Sequence, residues 1–119
     1  MRMSTRAATL AAVLIALAVL VVPALASRSH ATGTTVKVAA SEFRFVISTK
    51  STAHGSVTFV VTNKGKLPHD FKIAGKKTPL LNPGKSAKLT VTLKTGRFPY
   101  SCTVAGHASA GMKGSFTAK

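Results

Sequence analysis

The sequence predicts an all-β fold: a Greek-key β-sandwich or barrel of seven to eight short strands. Three observations carry this. After Gly33, apolar residues recur at every second position, which puts them on one face of a strand. Clusters of Gly, Pro, Asn and Lys interrupt these runs at short intervals, as turns do. No stretch after Gly33 sustains a helical period.

Taken in order, Val36 and Val38 alternate with Thr35 and Lys37, and Phe43, Phe45 and Ile47 with Glu42, Arg44 and Ser48. Val57, Phe59 and Val61 form the next apolar face. His69, Phe71 and Ile73 follow, then Ala87, Leu89, Val91 and Leu93. Phe98, Tyr100, Cys102 and Val104 share a parity, and Phe116 and Ala118 close the chain. Turns are expected at Asn63–Lys66, Ala74–Lys77, Asn82–Gly84 and Thr95–Gly96. Pro99 donates no backbone hydrogen bond, so it fits an edge or a bulge better than a central ladder. Seven such runs suit a small sandwich.

The N-terminus has a different composition. Arg2 and Arg6 precede an uncharged run from Ala7 to Ala26, broken by Pro23 and ending Ala24-Leu25-Ala26. This is the pattern of a secretory signal cut after Ala26. About 20 apolar residues could also span a bilayer as an uncleaved anchor. The expected organisation is a signal over 1–26, a polar leader over 27–33 and one domain over 34–119. On either reading the domain is exported and extracytoplasmic: periplasmic, cell-surface or secreted.

The chemistry gathers near the C-terminus. Cys102 is the single cysteine, so no internal disulfide can form, and an odd cysteine in an exported chain invites a ligand role. His107 lies five residues on and Met112 five beyond that. Strand parity turns Cys102 inward with Tyr100, and His69 inward with Phe71. Two imidazoles, a thiolate and a thioether are the donors of a copper electron-transfer site. Structural zinc would normally take four Cys or His ligands. The competing reading makes Cys102 and Met112 ordinary core residues. His30 and His54 lie in polar, turn-like surroundings and read as solvated.

The segment YSCTVAGHASAGMKG from Tyr100 to Gly114, with LPHDF from Leu67 to Phe71, resembles the cupredoxins of the plastocyanin/azurin superfamily. The likeness spans Thr34 to Lys119. The Cys-x4-His-x4-Met spacing resembles the rusticyanin-type loop. It is longer between Cys and His than in plastocyanins and one residue longer between His and Met than in azurins. The resemblance implies a cupredoxin-like fold and one type 1 copper per chain. His69, Cys102 and His107 would be the strong ligands and Met112 the axial one. Asp70 departs from the Asn common in plastocyanins and azurins. An ionised carboxylate cannot donate, so its backbone N–H, not its side chain, is expected to face the Cys102 sulfur.

The charge balance narrows the partners. Seventeen Lys and Arg stand against Glu42 and Asp70, a formal +15, and 45% of residues are apolar. That apolar content is too high for a disordered polybasic chain. No nucleic-acid motif is present. The excess suits either a solvated cationic surface or attraction to an acidic redox partner or an anionic membrane or cell wall. Lys64, Lys66 and Lys113 lie close in sequence to the proposed ligands. The leading expectation is a monomeric one-electron carrier cycling Cu(II)/Cu(I), not an enzyme. A copper oxidase or nitrite reductase needs a second set of His ligands, which His30 and His54 do not supply. The alternatives are copper delivery or storage, and a cationic surface module with a structural metal. N-terminal sequencing of the exported protein should begin at Ser27; a start at Met1 would instead support the retained anchor.

Overall fold

The computed structural model describes residues 33–119 and, within the N-terminal segment, only residues 12, 15, 16 and 18–21. The rest of the expected signal and leader, with His30, lies outside the described residues. Among the described residues no helix is long and apolar enough to cross a membrane.

Among the described residues nine strands form: β1 (Thr34–Ser41), β2 (Arg44–Ile47), β3 (Ser51–Thr52), β4 (Gly55–Asn63), β5 (Lys72–Ile73), β6 (Lys76–Lys77), β7 (Ser86–Leu93), β8 (Gly96–Ser101) and β9 (Lys113–Ala118). They make two sheets, in the orders β2-β1-β4-β7 and β3-β9-β8-β5-β6. β1 runs parallel to β4 and β3 parallel to β9, and the other pairs are antiparallel. The all-β two-sheet architecture is as expected, and β3 and β6 account for the larger strand count. Each is two residues long, too short to show alternation. β6 returns from β5 through Ala74 and Gly75, both at positive φ.

The alternating faces meet between the sheets. Val36, Val38, Val57, Phe59, Val61, Val91 and Leu93 line one side, and Ile73, Tyr100, Phe116 and Ala118 the other. Phe59 sits 5.2 Å from both Phe71 and Phe116, centroid to centroid, and Phe71 5.4 Å from Tyr100. Burying such a ring contributes about 1.5–3 kcal/mol, far more than a single exposed turn contact. The Phe71 anchor therefore sets the inward parity of His69, two residues earlier.

Pro99 lies in β8, a central strand, which differs from the edge or bulge expected. The conflict resolves locally. β5 pairs only with Tyr100 and Ser101, so at Pro99 the ladder on that side has already ended. A smaller buried cluster of Ala40, Cys102 and Met112, with Phe45 and Val104 against it, sits apart from the main core. Ala40 lies near the end of β1, Cys102 just after β8 and Met112 just before β9, so the cluster marks one end of the sandwich.

Candidate metal centre

Cys102 follows the last residue of β8 and is 1% exposed. Its N–H donates to the Met112 carbonyl at 3.0 Å, closing the loop between them. Inside that loop His107 N–H donates to Val104 O at 3.0 Å, and Met112 N–H to His107 O at 3.1 Å. Gly106 and Gly111 have φ of 81° and 125°, values that L side chains rarely adopt. At Gly111 a Cβ would also come within 2.9 Å of the Phe43 carbonyl. The small residues of this segment thus let it fold back over the sandwich end and return His107 and Met112 to Cys102.

His69 arrives just ahead of β5, the neighbour of β8 in the same sheet. Its strand is shorter than alternation suggests, because β5 begins only at Lys72. A two-way backbone bridge to Leu81 holds it instead: His69 N–H to Leu81 O at 3.0 Å and Leu81 N–H to His69 O at 2.8 Å. Buried Asn63 laces the same region, donating to the carbonyls of Leu67 and Leu81 and accepting from the Gly65 N–H. His69 is wholly buried.

The donor atoms converge. His69 Nδ1 and His107 Nδ1 are 3.1 Å apart, Cys102 Sγ lies 3.6 Å from His107 Nδ1, and all three fall within 4.8 Å of one another. Nitrogen donors that share one ion sit about 2.0–2.1 Å from it, so these separations suit a common metal. His69 Nε2 lies 3.3 Å from Glu42 Oε1. A carboxylate only accepts, so Nε2 carries the ring proton and Nδ1 presents its lone pair inward. Met112 is fully buried and packs in the Cys102 cluster. The four residues are positioned to bind one copper ion, and the mixed imidazole and sulfur set suits that metal.

Two carboxylates support them. Burial pushes the Cys102 thiol above its ordinary value, while the backbone N–H groups of Asp70 and Val104 favour the thiolate. The Asp70 side chain acts in the opposite sense and adds to the rise, so backbone and side chain both bear on the thiol, where the backbone alone was expected. The side chain does more than expected, however: Asp70 Oδ1 accepts from Thr103 N–H at 2.6 Å, and Oδ2 accepts from the Thr103 hydroxyl. It ties the two ligand segments together as an acceptor. Glu42, just past β1, accepts from Lys66 N–H at 2.6 Å and Leu67 N–H at 2.7 Å. The Leu67 N–H foremost, then its own backbone N–H, Lys66 N–H and His69, holds its carboxyl down at about 2.

Alternation gives Glu42 no role at the site and puts Phe43 on the inward face of a strand; instead both lie in the turn before β2, where Phe43 is 39% exposed and its ring meets His107 edge-on at 5.1 Å. The available signal was composition: a chain with 17 basic residues keeps only two acids, and both are at this site. His54 is exposed and pairs with the Lys119 carbonyl at 2.7 Å, away from the cluster.

The family model for the cupredoxin-like domain matches residues 10–118. The fold is similar to that of dithionite-reduced auracyanin from the photosynthetic bacterium Roseiflexus castenholzii, with TM-score 0.63 and 20% identity over 73% of this chain and 98% of that one. Auracyanin A, a "blue" copper protein of the green thermophilic photosynthetic bacterium Chloroflexus aurantiacus, gives TM-score 0.62 and 19% identity over 73% and 99%. Auracyanin B gives 0.61 and 22% over 72% and 88%. A search of curated proteins finds no match.

If Asp70 ties the ligand segments together, Asp70→Ala should lower the stability of the metal-free protein by about 1.5–3 kcal/mol, the usual net worth of hydrogen bonds to a charged group. Asp70→Asn keeps an acceptor for Thr103 N–H and should recover more than half of that in urea unfolding. An alanine variant as stable as the parent would refute the tie.

Proposed function

The chain belongs to the cupredoxin-like family, and from that premise we propose that it is a type 1 copper protein serving as a one-electron carrier outside the cytoplasm. The observation that carries this reading is the buried convergence of His69 Nδ1, His107 Nδ1 and Cys102 Sγ, with Met112 packed beside the cysteine. Bound there, copper supplies the Cu(II)/Cu(I) couple. That auracyanin A is a blue copper protein supports the same chemistry here.

The protein's own contribution is rigidity and access. The Leu81 bridge holds His69, the Met112 carbonyl holds Cys102, and the Val104 carbonyl holds His107. Donors held by backbone bonds need little rearrangement when the charge at the site changes. Cys102 and Met112 are 1% and 0% exposed, which keeps water from the sulfur side. His107 is the least buried of the four ligands at 9% exposed, beside exposed Ala105, Gly106 and Ala110. Phe43, 39% exposed, extends this apolar surface. The redox partner is proposed to dock here, close to the His107 ring.

Exposed Lys64, Lys66 and Lys113 flank the ligand segments in sequence. They suit an acidic partner, and the wider positive charge suits an anionic membrane or cell-wall surface. The extracytoplasmic location and a monomeric, non-enzymatic carrier complete the reading. The location rests on the N-terminal pattern alone.

Adding Cu(II) should produce an intense visible charge-transfer band and narrow copper hyperfine splitting in EPR. Cys102→Ser should abolish that band, and its persistence would refute the thiolate assignment. Electron transfer to an acidic acceptor should slow as salt rises through about 0.1 M, where the Debye length is ~10 Å. A rate flat across ionic strength would sink electrostatic steering.

A further inference from the structure

We propose that Glu42 is a positioning residue for the metal centre whose negative charge, delivered through His69, biases the site toward Cu(II). This rests on the copper-carrier reading above. The carboxylate is not a loose surface acid. Oε1 gathers three donors: Lys66 N–H at 2.6 Å, Leu67 N–H at 2.7 Å and His69 Nε2 at 3.3 Å. Gly65 leaves it room, since a Cβ there would lie 2.5 Å from Oε1. The Glu42 side chain is 28% exposed and the His69 side chain 0%, so the pair spans the boundary between solvent and the buried site. Next along the chain, Phe43 packs on His107. The turn after β1 therefore touches both imidazoles.

The electronic consequence follows from the donor arrangement. An imidazole whose outer N–H is given to a carboxylate is a stronger donor at its inner nitrogen, and its ring orientation is held. A stronger donor with a net negative charge behind it favours the more highly charged metal state. The effect is local, because the chain's other acid, Asp70, is engaged with Thr103. Outer partners of this kind are worth roughly 10–100-fold in metal affinity. Glu42 is assigned the lower end of that range as a preference for Cu(II) over Cu(I).

The test is Glu42→Gln in the copper-loaded full chain. Glutamine keeps an oxygen for the Lys66 and Leu67 N–H groups but removes the charge. The visible band should remain, and the ratio of Cu(II) to Cu(I) affinities should fall about tenfold, read as a midpoint potential about 59 mV higher for a one-electron couple. A variant that keeps the band at the parental potential reduces Glu42 to a loop clamp and overturns the proposal. A parent that binds copper without the band overturns the copper reading itself, and so the two failures differ. Should the variant not fold, proton NMR of the reduced parent decides. A slowly exchanging, downfield His69 Nε2–H is the expected result, and a rapidly exchanging one overturns the pairing.

Discussion

Asp70 stands between the segment that carries His69 and the segment that carries Cys102. Its carboxylate accepts from both the N–H and the hydroxyl of Thr103, the residue after Cys102. The backbone bonds of the ligands run elsewhere: those of His69 to Leu81, and that of the Cys102 N–H to Met112. β5 and β8 meet over just two residue pairs, so sheet pairing alone is a weak brace at this end. The donor atoms can lie within 4.8 Å of one another because a buried acceptor joins the strand ends where the ladder stops. The rigidity that low-cost electron transfer asks for starts from that junction.

The distribution of acids follows from the same requirement. The chain carries a formal +15, and an acid placed freely on its surface would find cationic neighbours nearly anywhere. Both acids instead accept backbone N–H groups in the ligand loops. N–H donors in irregular segments lack ladder partners, and leaving them unpaired in partly buried positions costs about as much as a lost hydrogen bond. Carboxylates make strong acceptors for them. The two acids thus order the loops first, and their charge is then fixed beside the donors. The lysines remain outside, where they set the long-range field without entering the site.

Period-two alternation was readable from residue order because each strand is half-buried. Val57, Phe59 and Val61 point into the core for the same reason that Thr58, Val60 and Thr62 point away. The same rule turned His69 and Cys102 inward. It was silent on segments too short to alternate, hence β3 and β6. Nor could it place Pro99, expected at an edge or bulge, in a central strand beside the point where the β5 ladder stops, because where a neighbouring strand ends is not written in local spacing.

Residue order by itself determined the fold class, the inward faces and the soft donor set at Cys102, His107 and Met112, since these depend on local spacing and side-chain chemistry. Tertiary structure alone decided that His69 Nδ1 meets His107 Nδ1 at 3.1 Å, that Asp70 accepts from Thr103, and that Glu42 and Phe43 flank the two histidines. Those contacts join residues 27 to 64 positions apart, some within one sheet and some between the two, and no local pattern encodes which chain ends a sandwich will bring together.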